Sequence, residues 1–145
     1  MPAFSPATVW LDHKPAPADL DGRSVLVHFW STGCPLCHEA VGIIDRWRDR
    51  FGERGLALIA VCQPKVNEAF DVRLARREAR EEMRIDHPCA LDVDGALARA
   101  FGSDFAPSYF VFDGTRVLRH RQTGNARLTA VEECLDRCLE SSGYP

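Results

Sequence analysis

Ser24 to Trp30 is a nearly unbroken apolar run, and four residues beyond it two cysteines stand three positions apart in Cys34-Pro35-Leu36-Cys37. The run, Val25-Leu26-Val27-His28-Phe29-Trp30, is broken only by His28 and reads as a strand buried on both faces. After Cys34 the pattern changes. Val41, Ile44, Trp47 and Phe51 recur at spacings of three and four, which predicts an amphipathic helix from about Pro35 to Arg54, closed by Gly52 and Gly55. Pro35 suits the first helical turn, where its missing N–H costs nothing. The first thiol then lies at a helix N-terminus, where unpaired amides and the helix dipole favour a thiolate. The second, one turn on, is placed to close a disulfide. Strand, turn and helix together point to a thiol–disulfide redox site.

The rest of the chain alternates in the same manner. A short strand is expected at Val9-Trp10-Leu11, then a loop through Lys14-Pro15-Ala16-Pro17 and a turn at Asp21-Gly22. Leu56 to Cys62 is a second central strand. Val66 to Met83 reads as a helix, rich in Arg and Glu from Arg73 onward and therefore expected to be a solvated face. Pro88 to Leu91 is a short strand, and Ala96 to Phe101 a helix stopped by Gly102. Ser108 to Phe112 leads into Asp113-Gly114 and a returning strand, Arg116 to His120, a hairpin signal. A last helix covers about Leu128 to Leu139. Parallel units first and an antiparallel hairpin last predict an α/β fold with a mixed central sheet.

Hydrophobic residues make up 46% of the 145, enough to build the core of one domain, and the net charge of −3 offers no basic footprint for nucleic acid. No apolar run is long enough to span a bilayer. The segment Met1-Pro2-Ala3-Phe4-Ser5-Pro6 lacks the charged and apolar regions of a signal peptide, so the expected location is cytoplasmic, with an exported mature form as the alternative.

Two segments carry a family resemblance: Val25 through Cys37, and Phe105-Ala106-Pro107-Ser108-Tyr109-Phe110-Val111-Phe112-Asp113-Gly114. In this order and spacing they resemble the thioredoxin superfamily, specifically the TlpA/ResA-like redoxins, over roughly residues 20–140. The resemblance implies a thioredoxin-like three-layer α/β/α sandwich. It also implies one domain over 1–145, with 1–20 an N-terminal extension bearing a short strand and 63–91 a TlpA-like helix–strand insertion. The implied activity is thiol–disulfide oxidoreductase, with Cys34 as nucleophile and Cys37 as resolving thiol. Ala106 and Pro107 would bind an extended substrate, with Pro107 in cis. The partners implied are protein or small-molecule disulfides and thiols, and a reductase or thiol electron donor.

This sequence departs from relatives at the groups that tune the dithiol. Gly33 stands where a Trp or another bulky residue precedes the first cysteine. His28 stands where thioredoxins carry a buried Asp and many TlpA-like proteins an Asn. Ala40 and Gly42 replace a Glu and a Pro that often follow the second cysteine, and Ala106 replaces the commoner Thr or Val. A neutral imidazole at His28 is a candidate proton relay for Cys37; the plainer alternative is a His satisfied by a backbone partner.

Other readings of the motif are weaker. Cys37-His38 completes C-x-x-C-H, the c-type haem attachment pattern, but the strand feeding the motif suits a redoxin site and Met83 is the only internal methionine. A zinc site wants four ligands, and Cys134 and Cys138 belong to the terminal helix. No metal or cofactor is expected. A peroxiredoxin-like peroxidase would need a Thr three residues before the cysteine, and Thr32 is two before Cys34. A non-catalytic, redox-sensitive interaction module is the reading outside enzymology. Cys62, Cys89, Cys134 and Cys138 are expected to be buried free thiols, with a Cys62–Cys89 pairing or a second thiol relay as the alternatives for the first two.

Overall fold

A computed structural model describes residues 1–140. The last five residues of the expected 1–145 domain lie outside the described residues. The elements are β1 (Val9–Trp10), α1 (Pro17–Leu20), β2 (Val25–Trp30), α2 (Pro35–Glu39), α3 (Val41–Gly52), β3 (Ala57–Cys62), α4 (Val72–Glu81), β4 (Cys89–Leu91), α5 (Ala96–Phe101), β5 (Ser108–Phe112), β6 (Leu118–Thr123) and α6 (Leu128–Glu140).

The strands form one mixed sheet in the order β1-β4-β3-β2-β5-β6. β2, β3 and β4 run parallel, whereas β1, β5 and β6 pair antiparallel with their neighbours. β2 lies at the centre with all six residues buried, as its apolar run, interrupted only by His28, predicts. β6 is an edge strand whose Arg119 and Arg121 keep it from pairing further.

Alternation along the strands divides the core into two faces. Leu26, Trp30, Leu58, Ala60, Cys62 and Val111 face α2, α3, α4 and α6. Val25, Val27, Phe29, Ile59, Val61, Phe110 and Phe112 face α5 and the N-terminal segment. Helices thus cover both sides of the sheet, giving the expected three-layer α/β/α architecture. On the first face Trp47 is fully buried, and its indole N–H donates to Glu132 of α6 at 3.0 Å, so one side chain ties α3 to α6.

The structure corrects several sequence expectations. Pro17, expected at the end of the loop from Lys14, instead opens the short helix α1. The helix expected to run unbroken from Pro35 divides at Ala40 into α2 and α3. α4 begins at Val72 rather than Val66, because Asp71 caps it by accepting the Leu74 amide at 3.0 Å. The hairpin after β5 is wider than the two-residue turn expected from Asp113-Gly114. The Asp113 side chain accepts from the amides of Thr115 and Val117, Arg116 takes φ +69°, and β6 starts at Leu118. These hydrogen bonds, with one from Arg119, outweigh the effect of burial and hold the Asp113 carboxyl well below the usual range.

Candidate active site

β2 ends at the C-terminal end of the parallel strands, and the turn after it delivers the two cysteines to the start of α2. Cys34 is the N-cap of α2, with extended backbone at φ −103° and ψ 104°, and its Sγ accepts the Cys37 amide at 3.2 Å. The two cysteines are disulfide-bonded, with Cα atoms 5.2 Å apart. They differ in access. Cys34 is half-buried, while Cys37 is 1% exposed among Trp30, Val41 and Cys62.

Pro107 ends the loop before β5, and the Ala106–Pro107 peptide bond is cis. Ala106 packs on the same apolar cluster as Cys34 and Cys37. The Pro107 carbonyl is already taken by the Gly124 amide at 2.8 Å. Beside the motif Leu36 is exposed, as is Phe105 before the proline, so the sulfur edge is flanked by apolar surface.

His28 lies on β2, buried, on the face that packs under α3. Its Nε2 is 2.8 Å from Nε2 of His87, and the two rings line a small space with Val41, Ile44, Asp45, Met83 and Ile85. The partner is therefore a second imidazole, not the backbone group of the plainer expectation. One ring must donate the shared N–H and the other accept it. Burial, and then the neighbouring His87, hold His28 well below the usual imidazole range. Burial likewise pushes His87 down to about 4, against the opposing pull of Asp86.

Two further side chains complete the site. Glu78 of α4 is 5% exposed, and its Oε1 and Oε2 lie 2.9 and 3.1 Å from the Gly33 amide, which donates to them. Gly33 has φ +62°, a left-handed conformation that favours glycine over the bulky residue of relatives. Asn125, before α6, donates through Nδ2 to the Leu36 carbonyl at 2.7 Å and accepts from the Tyr109 hydroxyl at 2.7 Å. The active-site turn is thus held to β5 through one amide side chain.

A family model described as Redoxin matches residues 1–135. The thiol-disulfide oxidoreductase YkuV of Bacillus subtilis is 34% identical over 140 residues, 96% of this chain and 93% of that protein. The chain belongs to the redoxin family. It is a thiol–disulfide oxidoreductase of the TlpA/ResA-like branch, and its fold is thioredoxin-like. The thiol-disulfide oxidoreductase ResA of Bacillus cereus is 22% identical over 119 residues, 82% of this chain and 65% of that protein. The solution structure of a thioredoxin-like protein in its oxidized form superposes with a TM-score of 0.81 at 33% identity, covering 98% of this chain and 95% of that one. A thiol-disulfide isomerase from Corynebacterium glutamicum shares the fold, with a TM-score of 0.78 at 18% identity over 92% of each chain.

Within this redoxin the structure brings Cys34, Cys37 and Ala106 onto one apolar cluster, with Pro107 directly following. His28 meets His87 rather than standing alone. The sequence offered no sign of Glu78, because one acid among many Arg and Glu residues on α4 looks solvated. The remaining cysteines are buried and form no disulfide. Cys62 and Cys89 sit on adjacent strands β3 and β4, and burial raises both thiols, Cys89 to about 12. Cys134 and Cys138 lie 4.0 Å apart, sulfur to sulfur, on α6 and face the core. Burial, together with Cys134, pushes Cys138 up to about 12.

Proposed function

We propose that this redoxin reduces disulfides of protein or small thiol partners through Cys34 as nucleophile and Cys37 as resolving thiol. The observation that carries this division of labour is the contrast in access between them, with Cys34 half-buried at the helix start and Cys37 sealed beneath it. In the reduced enzyme the Cys34 thiolate attacks one sulfur of a partner disulfide. A Cys34–partner disulfide forms, the partner's own S–S bond breaks, and its other sulfur leaves as a thiolate and takes a proton. Cys37 then gives up its proton and attacks Cys34 Sγ, which releases the second partner sulfur and leaves the Cys34–Cys37 disulfide. Two electrons pass to the partner, and a reductase or small thiol donor restores the dithiol.

Ala106 and Pro107 form the substrate platform in this reading. Proline offers no N–H of its own, so an extended peptide pairs with the neighbouring backbone. His28 is the residue assigned to receive the Cys37 proton and pass it through its Nε2 to His87, which lies 3.8 Å from Asp86 at the surface. Residues 1–145 act as one domain, with 63–91 as a TlpA-like insertion. No helix among the described residues is long and apolar enough to cross a membrane. A cytoplasmic location is supported by buried cysteines that form no disulfide, as a reducing compartment keeps them.

Insulin reduction with a dithiol donor tests the reading. Cys37→Ser should accumulate a mixed disulfide through Cys34, and Cys34→Ser should form none. Wild-type turnover retained in Cys34→Ser would refute the assignment. Unchanged rate and pH profile in His28→Ala would end the relay role alone.

A further inference from the structure

Three groups that tune the dithiol in relatives are replaced here by Gly33, His28 and Ala40. A carboxylate nevertheless reaches the motif, from a different element. α4 packs its small residues Ala75 and Ala79 into the cluster that contains Cys37 and on which Cys34 rests. Glu78, adjacent to Ala79 and one turn after Ala75, is carried inward with them. A buried carboxylate is costly unless hydrogen bonds compensate it. Both oxygens of Glu78 are directed at the amide of Gly33, the residue immediately before the nucleophile.

We propose that Glu78 is the positioning residue of this dithiol: it fixes Gly33, and through it the place of Cys34, and sets a negative charge against the Cys34 thiolate. The assignment rests on the oxidoreductase reading and adds its direction. A thiolate at Cys34 keeps the Cys37 amide as donor but faces a like charge across Gly33, which disfavours ionisation. Stabilising the thiolate makes a dithiol a stronger oxidant; opposing it does the reverse and poises the pair to give up electrons.

Other charges face Glu78 and belong to the same balance. His38 of α2 stands with its Nε2 3.3 Å from Glu82, and one ligand atom from each of His38, Glu78 and Glu82 falls within a span of 4.8 Å. Lys65, in the loop after β3, brings its Nζ close to Gly33, 3.1 Å from where a Cβ would stand. Cys62 of β3 also feels the Glu78 charge but is held protonated by burial. Lys65 and a protonated His38 would weaken the effect; Glu82 adds to it.

The test is the equilibrium in which enzyme dithiol and glutathione disulfide give enzyme disulfide and two glutathione thiols. Glu78→Gln keeps an acceptor for the Gly33 amide and removes the charge. It should lower that equilibrium constant about tenfold, a rise in potential of about 30 mV. It should also lower the Cys34 pKa by about one unit, read from thiolate absorbance. The exposed neighbour Glu81, changed to Gln, should alter neither. Unchanged or oppositely shifted values in Glu78→Gln would overturn the proposal. A second measurement needs no variant. In the reduced wild type the Glu78 carboxyl carbon resonance should step as Cys34 ionises, and the absence of a step overturns the assignment. A wild-type dithiol that fails to exchange with glutathione removes the oxidoreductase reading itself. Normal exchange with a silent Glu78 removes only this inference.

Discussion

Asn125 donates to the Leu36 carbonyl at 2.7 Å, the oxygen that an unbroken helix from Pro35 would give to the Ala40 amide. The Ala40 amide turns instead to the Cys37 carbonyl at 3.2 Å, and the helical ladder restarts with Ile44 bonding to Ala40. The two cysteines are therefore carried on their own short helix, anchored through Asn125 to Tyr109 on β5.

Asn125→Ala removes both bonds and leaves the Leu36 carbonyl and the Tyr109 hydroxyl in search of partners. It should destabilise the protein by about 0.5–1.5 kcal/mol in chemical denaturation. Amide hydrogen exchange should accelerate selectively at residues 36–40. Uniform acceleration would argue against a local anchor.

The imidazole pair makes a prediction about acid. Both rings have folded pKa values below the unfolded value of about 6.5, so below that pH the unfolded chain binds more protons than the native one. Stability is then fully present above about pH 6.5 and falls as the pH drops toward 4. His87 alone, lowered to about 4, accounts for ~3 kcal/mol of that loss. His87→Leu strands the His28 nitrogen and should cost about 1–3 kcal/mol near neutral pH. Adding His28→Leu should recover part of that cost and flatten the acid slope. A double variant less stable than either single one would contradict the pairing.

α4 depends on its cap. Asp71→Ala should cost about 1 kcal/mol, while Asp71→Ser should be nearly neutral, because serine still accepts the Leu74 amide. Equal losses in both, measured by urea unfolding, would show that the cap contributes little.

The features the sequence displayed most clearly were those written in periodicity and turn chemistry. β2 was legible from its apolar run, the dithiol from its spacing after that run, and β5 from its own apolar residues. What escaped depended on contacts between distant segments. The break at Ala40 is caused by a side chain 85 positions away in sequence, at Asn125. Glu78 was hidden because the inward stripe of α4, Ala75, Glu78 and Ala79, is too small and polar to stand out as a buried face. His87, flanked by Asp86 and Pro88, gave no sign that it would meet His28. Asp113-Gly114 promised a tight turn, but the Asp113 carboxylate gathered a wider loop around itself.

In the proposed mechanism Cys34 and Cys37 form the exchanging pair and the other four cysteines take no part in it. A redox titration against a dithiol couple, read by differential thiol labelling and mass spectrometry, tests it directly. The predicted result is a single reversible two-electron transition confined to Cys34 and Cys37, with Cys62, Cys89, Cys134 and Cys138 labelled only after denaturation. Cys34 and Cys37 remaining in one state across the titration, or a transition that tracks one of the buried four, would contradict it.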